Sequence, residues 1–135
     1  MDFKLKTGEQ LRTVIAVKES ATVIEAGDLV TISGGYIIKA VDASAYLAWC
    51  PNGAAAGTTD VEVTVGNDFT LEGASDANFA ITDRGIICDL VVATGVQKVD
   101  LGESTTDAFI VGIGADAGTV DSTAGVEVKI NKPLF

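Results

Sequence analysis

Apolar and polar residues alternate with period two at several places along this chain. In "VEVKI" (126–130), Val126, Val128 and Ile130 face one way and Glu127 and Lys129 the other. "VEVTV" (61–65) has the same pattern, the mark of a strand with one buried face. From Ala26 onward such segments follow in short order: "GDLVTIS", "YIIKAV", "VEVTV", "FTLEG", "NFAIT", "GIICDLVVA", "QKVDL", "AFIVGI" and "VEVKI". Each is bounded by Gly, Asp, Asn or Ser. Gly34–Gly35 separates the first two as a two-residue hairpin turn. "DASAYLAWC" reads as a short helical turn or a strand, and "PNGAAAG" as a loop. Short strands without long amphipathic helices predict a small barrel or sandwich.

The two ends fit the pattern less well. In residues 1–25, Phe3 and Leu5 alternate with lysines and "TVIAV" has strand character, yet no tight hairpin signal joins them. Two readings stand: an extended N-terminal arm, or a first strand of the main sheet. At the other end Pro133 breaks the last strand and leaves Leu134 and Phe135 to be covered, by this chain's own core or by another surface.

Composition agrees with β structure. Val, Ile and Thr number 41 against 8 Leu, and β-branched residues pack well on pleated surfaces but lose freedom in helices. At 135 residues and 47% hydrophobic content, one domain with a real core is expected. "MDFKLKTGEQ" has no apolar signal region, and the apolar run "AFIVGIGA" is too short to span a bilayer, so synthesis and retention in a cytoplasm are expected.

The net charge of −10 is uneven: +2 over residues 1–18, −14 over 19–128 and +2 over 129–135. An acidic body repels phosphate, which argues against nucleic-acid binding. The basic ends are suited to an acidic partner, or carry no meaning beyond solvation.

Candidate chemistry is sparse. There is no histidine, the commonest general base and metal ligand. Cys50 and Cys88 sit among apolar neighbours and read as buried free thiols, with a bridge between them as the other option. "GIGADAG" (112–118) lacks phosphate-loop spacing, and Asp116 repels phosphate. "DSTAG" (121–125) is ordinary turn sequence rather than a protease signature. The Asp and Asn residues of "GNDFTLEGASDAN" (66–78) are hard oxygen ligands, but turn formation explains them more simply than calcium. "DRG" (83–85) is read as turn chemistry with Arg84 pairing to a nearby acid. Trp49 and Tyr46 suit either a sugar platform or core packing, and packing is favoured.

One internal echo stands out. "DLVTISGGYIIKAVD" (28–42) resembles "DLVVATGVQKVD" (89–100), and each precedes a "VEV" strand, at 61–63 and 126–128. A duplication explains this, and so does chance in a Val-rich chain; chance is preferred.

The stretches "FTLEGASDANFAITDRGIICDLV", "GVQKVDLGESTTDAF" and "AGTVDSTAGVEVKINKPLF", within residues 69–135, resemble the capsid decoration proteins of tailed bacteriophages, also called cement or head-stabilising proteins. "EAGDLVTISGGYIIKAV" is similar to the opening hairpin of related head-decoration families. The resemblance implies an all-β fold: a small β-barrel or β-tulip-like domain with an extended N-terminal arm. Residues 1–25 would form the arm and 26–135 the decoration domain. It further implies a homotrimer on the outer capsid surface of the virion, at three-fold or quasi-three-fold positions, clamping neighbouring major capsid proteins after synthesis in the host cytoplasm. The candidate capsid or subunit interface is then Phe3, Lys4, Leu5, Lys6, Leu11 and Arg12 with Lys132, Leu134 and Phe135. No enzyme activity, cofactor, metal, nucleic acid or membrane partner is expected. The alternative is a phage receptor- or glycan-binding β module using Trp49, Tyr46 and Tyr36.

Overall fold

The computed structural model describes residues 2–8, 11–113 and 125–135. The glycine-rich stretch from 114 to 118, and residues 121–124 of "DSTAG", lie outside the described residues. The chain is all-β, as its composition predicts. Eleven strands are described: β1 (Phe3–Thr7), β2 (Arg12–Val17), β3 (Asp28–Ser33), β4 (Tyr36–Lys39), β5 (Ala48–Cys50), β6 (Asp60–Val65), β7 (Thr70–Gly73), β8 (Ile87–Ala93), β9 (Val96–Asp100), β10 (Phe109–Val111) and β11 (Val126–Ile130). They form two antiparallel sheets, in the orders β2-β6-β5-β3-β4 and β1-β7-β11-β10-β8-β9.

The expected barrel is not what forms. Each sheet curls until the residue after an early strand meets the last strand of the order, at a single parallel bridge: Lys18 with Ile37 in one, Ser75 with Val99 in the other. One bonded pair is not a ladder, and in the second sheet β1 takes the outer edge of β7, so neither sheet closes.

The sequence echo is a real structural repeat. Replacing each strand of β2-β6-β5-β3-β4 by the strand five places later gives β7-β11-β10-β8-β9, which is the observed order of the second sheet. The hairpins agree in register: Val30 pairs with Lys39 and Val91 with Lys98. The preference for chance is therefore overturned. Among the described strands β1 is the one outside the repeat, added to the edge of β7.

Residues 1–25 are not a detached arm. β1 pairs with β7, and β2 pairs with β6 along its full length from Arg12–Val65 to Val17–Asp60. Phe3 is completely buried, and its ring lies against Gly73, where a Cβ would stand 2.3 Å from the ring. The missing side chain at Gly73 is the socket that holds the N-terminal strand. The boundary at residue 25 has no structural counterpart.

"NFAIT" is not a strand either. The Ala80 amide donates to the Asp83 carboxylate at 2.8 Å, and Ile81–Asp83 turns as a single 3-10 element. Gly85 follows at φ 81°, so "DRG" belongs to a turn. "DASAYLAWC" resolves into a turn followed by β5.

Two cores result. The larger gathers the inner faces of β7, β8, β10 and β11 with Phe3, and takes Leu29, Leu47 and Trp49 from the other sheet. The smaller fills the curl of the five-stranded sheet with Ile24, Val30, Ile37, Cys50, Val61, Val63 and Val65. The facing read from "VEVTV" and "VEVKI" holds: Val63 and Val128 are both fully buried.

Candidate functional site

The nine interface candidates separate into two groups. Phe3 belongs to the core, stacked on Phe109 with ring centroids 5.7 Å apart. Lys4 and Lys6 point the other way from β1 and share one acid, Glu72 of β7, at 3.3 and 3.5 Å. Burial pushes the Glu72 carboxyl up, but the Gly125 amide and the two lysines outweigh it and hold it below its usual value. Half-exposed ion pairs of this kind contribute only about 0–1 kcal/mol each. These two bases nevertheless have an internal partner.

Of the remaining candidates, Leu5 meets Leu11 and Arg12 meets Phe135. Leu5 and Leu11 converge on Gly8: both lie within 4 Å of the position a Gly8 side chain would take, beside Phe69. Next along the chain, the Arg12 guanidinium donates to the carbonyl of Phe135 at 3.4 Å. Leu134 answers half of the question raised by the sequence. Its amide donates to the Leu47 carbonyl at 2.9 Å, and its side chain packs at the rim of the smaller core. Phe135 stays 45% exposed, with Leu5 and Leu11 similarly open. Lys132 donates from Nζ to the Thr106 carbonyl at 2.9 Å and sits 5.9 Å over the Tyr46 ring. The start of β2 is thus tied to the last residue through Arg12, and Leu5, Leu11 and Phe135 are each partly exposed.

The alternative aromatic platform is dismantled by the fold. Trp49 is 5% exposed, and its indole N–H donates to the carbonyls of Phe3 and Gly27 at 3.3 and 3.1 Å. Tyr36 and Tyr46 are exposed, but without Trp49 beside them at the surface.

Neither thiol is equipped for nucleophilic work. Cys50 and Cys88 are unbonded and buried. Burial raises the Cys50 thiol, and burial together with Asp89, Asp100, Asp76 and Asp83 pushes Cys88 up to about 12. Within "GNDFTLEGASDAN", Glu72 faces the two lysines and Asp76 accepts the Leu101 amide at 3.1 Å. Among the described residues no three acidic or thiol groups converge as metal ligands. No helix among them is long and apolar enough to cross a membrane.

Sequence reasoning missed the outer face of β2. Ile15 and Val17 are 70% and 52% exposed, beside Glu62 and Asp60 on β6. A strand apolar on both faces ordinarily signals a central, doubly buried position. Here "TVIAV" is at an edge, and the one signal available was the absence of any charge in it.

No protein-family model, no curated protein and no solved structure matches this chain.

Proposed function

We propose that this chain is a non-enzymatic decoration protein of a tailed-bacteriophage head. In this reading it docks as a homotrimer on the outer capsid surface, at three-fold or quasi-three-fold positions, and clamps neighbouring major capsid proteins. It is made in the host cytoplasm and works on the virion. The observation that carries the reading is the exposure of Leu5, Leu11 and Phe135, with Arg12 bonded to Phe135, on a body offering no histidine and only suppressed thiols. The resemblance of residues 69–135 to cement proteins supplies the partner. Cementing needs contact area rather than chemistry, and a small patch gains strength when a symmetric assembly presents it several times. The net charge of −10 disfavours nucleic acid as the partner.

The test is direct. Expanded heads of the phage that carries this chain, prepared without it, should bind the added protein on co-sedimentation and melt at a higher temperature. Unchanged melting with no co-sedimentation removes the reading. The glycan-binding alternative is not favoured, because burial of Trp49 takes away its main platform.

A further inference from the structure

We propose that the free edge of β2 accepts an extended strand from another polypeptide, one in which apolar residues alternate with Lys or Arg. Among the described residues β2 is the end strand of its sheet, and its one ladder is to β6. β2 also runs close to β4, but the one bridge between them is at Lys18, past the end of the strand. Among the described residues no other strand pairs with this edge, and its residues from Arg12 to Ile15 are exposed.

Proteins guard such edges with charge, and this one does so elsewhere. The end strand β1 carries Lys4 and Lys6, β4 carries Lys39, and β9 carries Lys98 and Asp100. From Thr13 to Val17, β2 carries no charge, no Pro and no Gly. It is also the longest of these four strands, at six residues, with Ile15 and Val17 exposed on its outer face. An unguarded, extended, apolar edge is the surface to which a strand adds.

Charge complementarity selects the chemistry of the incoming strand. Ile15 lies opposite Glu62 and Val17 opposite Asp60, so an exposed acidic row flanks the apolar strip. A strand added outside β2 lies two strand spacings, about 10 Å, from that row. A Lys or Arg side chain reaching over Ile15 closes the gap to within a Debye length of about 8 Å. A second copy of this chain fits poorly. It brings another body of charge −10 and has no base between Thr13 and Val17 to meet the acids. One short strand buries well under the roughly 1,200 Å² of a stable interface, so the single contact is weak and gains by repetition on a lattice. The inference deepens the decoration reading and rests on it for the source of the strand, a shell subunit.

The experiment uses the full chain and a short synthetic peptide of alternating Val and Lys, with a Val–Glu peptide for comparison. Amide hydrogen exchange should slow at Thr13–Val17 with the Val–Lys peptide, and the Val–Glu peptide should bind more weakly. Ile15→Lys, which alters an exposed residue, should keep the fold by circular dichroism and weaken the peptide by about tenfold, the scale of losing one apolar side-chain contact; Val17→Lys is the second variant. Absence of protection at Thr13–Val17 overturns the proposal, as does equal binding of the acidic peptide. So does a concentration-dependent dimer of the protein alone that Ile15→Lys abolishes, because the occupant is then a second copy. On shells the two ideas separate. If wild type and Ile15→Lys bind equally, the edge inference fails and the decoration reading stands. If the peptide binds but shells do not, the decoration reading fails alone.

Discussion

The side-chain amide of Gln97 pairs with the backbone of Leu29 as a neighbouring strand would. Its Oε1 accepts the Leu29 amide at 2.8 Å, and its Nε2 donates to the Leu29 carbonyl at 2.8 Å and to the Ala40 carbonyl at 3.2 Å. Gln97 is fully buried on β9, and Leu29 is on β3, so this contact bonds one half of the repeat to the other. Removing the side chain strands two backbone groups, the Leu29 amide and the Ala40 carbonyl, while the Leu29 carbonyl keeps the Ala40 amide at 3.0 Å. Each unsatisfied group costs about 1–3 kcal/mol, so Gln97→Ala should lose on the order of 3 kcal/mol in urea unfolding. A loss below about 0.5 kcal/mol, the scatter of neutral surface changes, would mean that water replaces the amide.

Facing along the strands can be tested by paired substitutions. Val63→Asp and Val128→Asp each place an unpaired charge in a closed core, and each should cost more than about 4 kcal/mol or prevent folding. Ile15→Asp, on the exposed face of β2 opposite Glu62, should cost only about 1 kcal/mol, from like charge and strand propensity. Equal stability of all three variants contradicts the facing.

Much of this fold was legible because the relevant forces are local. The β3–β4 hairpin follows from Gly34 and Gly35, whose φ angles of 57° and 89° suit a primed turn. "VEVTV" and "VEVKI" follow from alternation alone. The failures have non-local or polar causes. β1 finds its partners at Thr70–Gly73, and no turn signal reports a pairing across that distance. The 3-10 turn at Ile81–Asp83 comes from a side-chain bond to the Ala80 amide, which hydrophobic spacing does not register. Of the apolar residues singled out near the termini, Leu5, Leu11 and Phe135 are partly exposed, whereas Phe3 lies in the core. The edge of β2 was not legible, because alternation tells which faces differ and not which edge lacks a neighbour.

The repeat makes a pH prediction possible. Asp28 and Asp89 lie on equivalent strands, each just before a Leu-Val pair, and both are buried. Burial raises Asp28, which accepts one amide, from Glu25, and meets Lys39 at 3.4 Å. Burial also pushes Asp89 up, but the amides of Asp107, Thr105 and Thr106 prevail and its carboxyl is held low. Asp100 is raised to about 6, by burial and by Asp76 beside it. A depressed folded value gives stability that is present above the unfolded value near 3.8 and is lost on acidification through the folded one. A raised folded value does the reverse: its contribution is full below the unfolded value and is lost as pH rises through the folded one. Asp89→Asn should therefore destabilise at pH 7. Asp100→Asn should stabilise at pH 7, with the gain fading between about pH 6 and pH 4. Urea midpoints across this range decide it: an Asp100→Asn gain that does not change with pH excludes titration as the cause.

The contact between Gly73 and Phe3 tests how firmly the N-terminal strand belongs to the fold. A Cβ at Gly73 would sit 2.3 and 2.5 Å from Cε1 and Cδ1 of the Phe3 ring, closer than real Cβ contacts allow. The ring cannot simply swing aside, because it stacks on Phe109 and its backbone carbonyl holds the Trp49 indole. Gly73→Ala should therefore cost about 1–3 kcal/mol through overpacking, although Ala is the better strand residue by propensity. Phe3→Ala alone empties a core site and should cost about 3–5 kcal/mol. Combined with Gly73→Ala it should cost less than the sum, since the clash and the cavity offset one another. The same substitution should loosen β1, so trypsin should cut at Lys4 and Lys6 faster in Gly73→Ala than in wild type, while the β3–β4 hairpin keeps its slow amide exchange. Strict additivity in the double variant, with unchanged cleavage at both lysines, would place β1 outside the cooperative fold and restore the extended arm.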